Sequence, residues 1–77
     1  MGTEHQAREL IRYTRGVQVR VYTLRSVARG AEIWRITESA GQQTGAVKEA
    51  DVGSMEETLK LLEEIQRSLT AGGWREI

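Results

Sequence analysis

The clearest hydrophobic pattern in the chain lies near its C-terminus, over residues 54–73. Apolar residues recur there every three or four positions, so on a helix they share one face and the charged residues take the other. The apolar face contains Met55, Thr58, Leu59, Leu61, Leu62, Ile65 and Leu69. Ser54 and Glu57 form a capping box, and Gly72 and Gly73 supply a left-handed stop. The pattern predicts an amphipathic helix whose apolar face is buried.

Before this helix the period of the pattern changes to two, which is typical of strands. Residues 17–27 alternate in this way, and residues 31–38 follow as the return strand of a hairpin. Between them, residues 28–30 fit a three-residue turn that places Gly30 in a left-handed conformation. Residues 39–45 are predicted to form a flexible loop, and residues 46–52 a weak third strand.

The register of the predicted hairpin has two alternatives. In the first, Tyr22 faces Ile36 and Leu24 faces Trp34. In the second, a slip of one residue places Val21 beside Ile36. Because side chains alternate between the faces of a sheet, this slip moves every residue to the opposite face.

The N-terminal segment, residues 3–14, predicts a short helix. Ala7, Leu10, Ile11 and Thr14 share one face when placed on a helix. The alternative is a strand, because residues 10–14 could pair with the strand that follows. His5, the only histidine, is expected to be solvated.

The order of elements is therefore α-β-β-β-α in a single domain, residues 1–77. Trp74 and Ile77 are expected to dock the C-terminus as a short edge strand, because both are too apolar to lie free. The predicted fold class is α+β: a three-stranded antiparallel meander backed by the long C-terminal helix, with the short helix at the N-terminus.

Composition limits the classes of function. The chain has 77 residues, no cysteine and no phenylalanine. A chain this short buries little surface alone, and neither disulfides nor a thiolate metal site can help, so we expect a homodimer. No apolar run is long enough to span a membrane, and no signal peptide is recognisable. We therefore expect a cytoplasmic protein with no membrane association.

The charge is balanced overall but divided along the chain. Residues 1–35 carry seven Arg against three Glu, a net charge of +4, and residues 36–77 carry four basic against eight acidic residues, a net charge of −4. Within the acidic half, Glu56–Lys60 and Glu63–Arg67 have the spacing of helical ion pairs. The sequence has no metalloprotease, nucleophile-elbow, dinucleotide or phosphate-loop motif. We expect neither enzymatic activity nor a cofactor or metal.

One functional hypothesis uses the basic half to bind nucleic acid. Arginines can neutralise phosphates and aromatic side chains can stack on bases. The candidates are Arg20, Tyr22, Arg25, Arg29, Trp34 and Arg35. The order of elements is similar to that of double-stranded-RNA-binding domains, although the acidic start of the second helix departs from their basic motif. The β-β-β-α part resembles integrase arm-type DNA-binding folds, which implies that Arg20, Arg25, Trp34 and Arg35 would contact DNA.

The favoured hypothesis is a regulatory module that binds another protein. The long helix carries an acidic face, Glu56, Glu57, Glu63 and Glu64, which would attract a basic partner. Small adaptors and inhibitors of the kind that phages and plasmids encode have similar layouts. This hypothesis ranks slightly ahead of nucleic-acid binding because the net charge is zero and the best-defined helix is acidic.

Overall fold

The structure, a computed structural model that describes residues 7–77, is an antiparallel sheet with one helix against one face. The elements in chain order are β1 (Ala7–Arg15), β2 (Gln18–Val27), β3 (Gly30–Ser39), β4 (Gln42–Val52), α1 (Met55–Ala71) and β5 (Arg75–Glu76). The strands lie in the order β4-β3-β2-β1-β5. The first four strands thus form a meander, and β5 returns to pair with β1.

The predicted N-terminal helix is wrong, because residues 7–15 form β1 and all of them except Leu10 pair with β2. The first part of that prediction, with His5, lies outside the described residues. A β-bulge between Glu9 and Ile11 explains the error. It turns Leu10 and Ile11 toward the same core, so the apolar residues lose the period of two and imitate a helical face.

The sheet has four long strands where three were predicted. The predicted loop over residues 39–45 is mostly strand, because the turn between β3 and β4 consists of only Ala40 and Gly41. Both have positive φ, 52° and 85°, as two-residue hairpin turns of the favoured hand require. An alanine at the first of these positions concealed the turn in the sequence.

The structure adopts the second of the two hairpin registers. Val21 pairs with Ile36, Tyr22 with Arg35 and Thr23 with Trp34. The turn contains two residues, Ala28 and Arg29, and not the predicted three. Gly30 has a φ of 124°, and a Cβ there would lie 2.6 Å from the carbonyl oxygen of Val52.

The core lies between α1 and the sheet face that carries Tyr22. Its buried members are Tyr13, Tyr22, Ile33, Val52, Leu69 and Trp74. Val21, next to Tyr22 in β2, points to the other face because side chains alternate. We call that second face, which carries Val21, Trp34 and Ile36, the open sheet face, since no described element covers it. Val21 is nevertheless only 4% exposed.

Both ends of α1 are fixed as the sequence predicts. Ser54 Oγ accepts a hydrogen bond from the Glu57 amide at 3.1 Å, and the Glu57 carboxylate accepts one from the Gly53 amide at 2.6 Å. At the other end Gly73 has a φ of 88°. The Trp74 amide donates to the Leu69 carbonyl and the Gly73 amide donates to the Thr70 carbonyl. These two bonds define a Schellman motif.

The Schellman motif directs the C-terminus onto the sheet. Trp74 is 6% exposed and packs with Leu69, and β5 pairs with β1 at Tyr13 and Thr14. The predicted docking of a short edge strand is therefore confirmed, although Ile77 itself is 69% exposed. Over residues 7–77, no helix has the length and apolar character needed to cross a membrane.

The positive φ of Ala40 generates a prediction about stability. A left-handed conformation costs an ordinary L-residue about 1–2 kcal/mol, and asparagine tolerates it better. Ala40→Asn should therefore raise the free energy of unfolding by about 0.5–1 kcal/mol, measured by urea denaturation with tryptophan fluorescence. Ala28→Asn is the matched control, because Ala28 is a turn residue without positive φ. An equal gain in both variants would contradict the assignment of strain to Ala40.

Candidate functional site

The apolar face of α1 is only partly buried. Thr58 and Leu69 are 4% and 3% exposed, whereas Met55 and Leu59 are 62% and 58% exposed. The sequence predicted that the whole face would be core, and for Met55 and Leu59 this is wrong. A helix is about 10–12 Å in diameter, but four strands span about 19 Å, so α1 contacts the sheet along a narrow line.

The uncovered part of α1 borders a groove between the helix and β1. Its volume is about 420 Å³, which is within the range of about 300–1,000 Å³ typical of ligand sites. Ile11 of β1 forms one wall, and Leu59 and Leu62 of α1 form the other. The polar residues of the lining are Glu56, Lys60, Glu63 and Gln66. We call this feature the β1–α1 groove.

The acidic residues of α1 fall into two groups. Glu57 is occupied by the helix cap, where its carboxylate binds the Gly53 amide. Glu56, Glu63 and Glu64 are exposed, and no ion pair to them occurs in the part of the chain that the structure describes. The predicted pairs of Glu56 with Lys60 and Glu63 with Arg67 are not formed. Glu56 and Glu63 line the β1–α1 groove together with Lys60, so two acidic residues and one basic residue give the lining a net charge of −1.

The six nucleic-acid candidates do not share one surface. Cross-strand pairing puts Tyr22 and Arg35 on the face that α1 covers, whereas Thr23 and Trp34 form the neighbouring pair on the open sheet face. By the same alternation, Arg20 lies with Tyr22 and Arg25 lies with Trp34. Arg29 is in the β2–β3 turn. Tyr22 is 3% exposed and is enclosed in the core, where a base could not stack on it.

Three of these arginines contact groups within the chain. The guanidinium of Arg20 lies 4.6 Å from the centroid of Trp74, and that of Arg25 lies 5.1 Å from the centroid of Trp34. Arg35 forms an ion pair of 3.2 Å with Glu49. Cation–π contacts and ion pairs of this kind use the same guanidinium faces and N–H groups that would bind phosphate or bases.

The sequence did not identify two parts of the site. Ile11 was assigned to a helix, so its position in the wall of the β1–α1 groove was missed. Arg15 was counted only as a charge, but its Nη1 donates to the Gly72 carbonyl at 3.0 Å and its guanidinium lies 4.6 Å from the Trp74 centroid. Arg15 thus supplies the cation that the last turn of α1 lacks. No sequence spacing signals this contact between residues so far apart.

An exposed ion pair lies on β1, on the open sheet face where Glu9 pairs with Thr23 and Arg12 with Val21. Arg12 donates two hydrogen bonds to the Glu9 carboxylate, at 3.0 and 3.1 Å. The bonds from Arg12 lower the pKa of Glu9 below its usual value, and the same pair raises the pKa of Arg12. Both groups stay ionised and neutralise each other. Within residues 7–77, no three acidic, histidine or cysteine side chains converge in a way that could hold a metal ion.

Comparisons with known proteins add no relative. No protein-family model, no curated protein and no solved structure matches the chain.

The contacts of Arg15 generate a prediction about its role. Arg15→Met removes the charge-assisted hydrogen bond to Gly72 and the cation–π contact with Trp74, and should lower the free energy of unfolding by about 1 kcal/mol. Arg29→Met, in an exposed turn, should change it by less than about 0.5 kcal/mol. Urea denaturation followed by tryptophan fluorescence measures both. Equal stability of the two variants would show that Arg15 is a free surface charge.

Proposed function

We propose that the protein is a non-enzymatic regulatory module that binds a basic partner protein through α1. The observation that carries the proposal is the β1–α1 groove, where exposed Leu59 lies beside unpaired Glu56 and Glu63. Apolar side chains with a charged rim form the usual anatomy of a protein-binding surface. Action as an adaptor or inhibitor in the cytoplasm, of the kind that mobile elements encode, remains part of this proposal.

The alternative, nucleic-acid binding, has less support from the geometry. Its candidate residues are divided between two faces and a turn, and Arg20, Arg25 and Arg35 already have partners. The acidic candidates, in contrast, share one helix and leave Glu56, Glu63 and Glu64 without ion pairs. Charge and exposure therefore support the protein-binding proposal more directly.

Charge reversal at the groove tests the proposal. A displayed library of random peptides is selected on the wild type and on Glu63→Lys. The wild type should enrich peptides that combine basic and apolar residues, and Glu63→Lys should bind them about tenfold more weakly, because the steering charge is reversed. Asp51→Lys is the matched control, since it makes the same charge change at an exposed residue of β4 and should bind as the wild type does.

Two results would count against protein binding. One is equal loss in Glu63→Lys and Asp51→Lys, which would show an effect of net charge alone. The other is salt-sensitive quenching of Trp34 and Trp74 fluorescence by DNA or RNA, which would favour the nucleic-acid alternative. Arg29→Ala would then identify whether the β2–β3 turn takes part.

The homodimer remains a prediction, with the open sheet face as its interface. Trp34 and Ile36 lie on that face, and Trp34 is partly exposed. Sedimentation velocity at micromolar concentration should give twice the mass of one chain, and dilution should shift Trp34 emission to the red as the interface opens. Trp34→Lys should then give a folded monomer. A wild type that sediments as a monomer would exclude this interface at that concentration.

A further inference from the structure

The open sheet face has an apolar centre and a charged rim. Its two middle strands, β2 and β3, place Val19, Val21, Trp34 and Ile36 on this face, and all of these except Val21 are partly exposed. The charged side chains lie on the outer strands and toward the strand ends: Glu9, Arg12, Arg25, Glu32, Glu38, Lys48 and Asp51. Three of these are basic and four are acidic, so the face has a net charge of −1. An apolar centre inside a polar rim is the usual anatomy of a protein interface.

The open sheet face is also large enough for a stable interface. The molecule has extents of 36, 29 and 17 Å, so it is thin, with α1 as one layer and the sheet as the other. Four strands of about ten residues make a face about 19 Å wide and about 33 Å long, which is roughly 600 Å². Two such faces in contact would bury about 1,200 Å², the lower end of the range for specific interfaces.

Two copies of this face can meet in two aligned ways, because packed sheets keep their strand directions within about 30° of each other. In the first, the two-fold axis runs along the strands, so β2 of one copy lies over β3 of the other and β1 lies over β4. In the second, the axis runs across the strands, so each strand lies over its own copy in the reverse direction. The charged residues distinguish the two arrangements.

The axis along the strands brings opposite charges together. Glu9 and Lys48 lie in one cross-strand row, at its two ends, and Arg25 and Glu32 lie in the middle of the next row. When β1 lies over β4, Glu9 of each copy faces Lys48 of the other. When β2 lies over β3, Arg25 of each copy faces Glu32 of the other. The apolar centre is covered in the same way.

The axis across the strands is less favourable. It exchanges the two ends of β3, so that Glu32 of one copy faces Glu38 of the other, and like charges at an interface oppose binding. It also places Lys48 over Ala46, which offers no acceptor. With the axis along the strands, in contrast, Glu38 faces Val19 at the rim, where its carboxylate can stay in water.

The ion pairs within each copy are compatible with the axis along the strands. Arg12 pairs with Glu9 on β1, and Lys48 pairs with Asp51 on β4. Where Glu9 of one copy faces Lys48 of the other, these two pairs join end to end, and the sign of the charge alternates through all four residues. The internal pairs therefore do not have to break when the two faces meet.

Arg25 is the charged residue of this face that most needs a partner. It forms no ion pair or hydrogen bond within residues 7–77, and its Nε is buried without an acceptor. Its guanidinium lies over Trp34, near the carboxylate of Glu32. That carboxylate accepts a hydrogen bond from Trp34 Nε1 at 2.8 Å and has further lone pairs, which Arg25 of a second copy can use.

From these observations we infer that a second copy of the chain covers the open sheet face in a two-fold dimer whose axis runs along the strands, between β2 and β3. The assembly has four layers, α-β-β-α, with both β1–α1 grooves on the outside. This inference rests on the homodimer of the proposed function and specifies its geometry.

Two single variants and their mixture test this geometry. Glu9→Lys sets a positive charge against Lys48 of the other copy, and Lys48→Glu sets a negative charge against Glu9. Each variant alone should dimerise about tenfold more weakly than the wild type. In an equimolar mixture one copy of each variant has opposite charges at both places, so the affinity should return to within about threefold of the wild type. Sedimentation velocity measures this at a concentration where each variant alone is monomeric.

Arg67→Glu is the matched control, because it makes the same charge change as Lys48→Glu at an exposed residue of α1, on the other side of the molecule. Alone it should dimerise as the wild type does. Its mixture with Glu9→Lys keeps like charges at one of the two contacts and should dimerise more weakly than the first mixture. Circular dichroism confirms that all three variants fold.

Each contrary result has its own meaning. A wild type that is monomeric at micromolar concentration overturns both the homodimer and this geometry, and leaves the binding of a partner at α1 to its own test with Glu63→Lys. Weakened variants that do not recover on mixing overturn the axis along the strands and retain the homodimer. Variants that dimerise as the wild type does show that the open sheet face is not the interface, which also overturns the inference.

Discussion

One helix must cover one face of a sheet that is wider than the helix, and most features of this protein follow from that mismatch. A helix of about 10–12 Å in diameter lies on a sheet that spans about 19 Å across its four long strands. No second helix occurs within residues 7–77. Burial is therefore concentrated along the contact line, at Ile33, Tyr22 and Leu69, and apolar surface stays exposed on both sides of it.

Arginine side chains cover part of the apolar surface that the single helix leaves exposed. Arg15 and Arg20 lie over Trp74, and Arg25 lies over Trp34. The aliphatic stem of an arginine covers apolar surface while its guanidinium remains near water. Val21 is buried on a face that no helix covers, with Arg12 and Ile36 as its cross-strand neighbours. The basic character of the N-terminal half, which suggested nucleic acid, therefore has a structural cause of its own.

The parts of the fold that could be predicted from the sequence are those fixed by local chemistry. The cap at Ser54, the glycine stop at Gly73 and the alternation in β2 and β3 are local signals, and the structure confirms them. The prediction of an N-terminal helix was wrong because pairing with β2 produces the bulge at Leu10. That pairing is a distant contact, which local sequence patterns do not reveal. The extra length of β4 was hidden because Ala40 occupies a turn position that usually signals itself through asparagine or glycine.

The candidate site could not be predicted in full from the sequence. It depends on the register of the strands and on how much of α1 the sheet covers, and local sequence patterns determine neither. In the first register, Tyr22 and Trp34 lie on one face and form an aromatic platform; in the register observed, they lie on opposite faces. A shift of one residue thus divides the nucleic-acid candidates. The exposure of the acidic residues of α1 could be predicted, because the faces of a helix follow from its own sequence and do not depend on a strand register. The exposure of Leu59 could not, because it depends on how much of α1 the sheet can reach.

The same mismatch gives the helix a mechanical arrangement suited to binding. The two buried positions of α1 are Thr58 in the second turn and Leu69 in the last. Close to Thr58, Ser54 and Glu57 cap the start of the helix. Beyond Leu69, Trp74 holds the end of the helix against β1. Between these anchors Leu59 and Leu62 border an open groove, so a ligand there can gain contacts without displacing any residue that holds the helix on the sheet. Because the anchors and the groove use different residues, the stability of the fold and the binding that we propose would place separate demands on the sequence of α1.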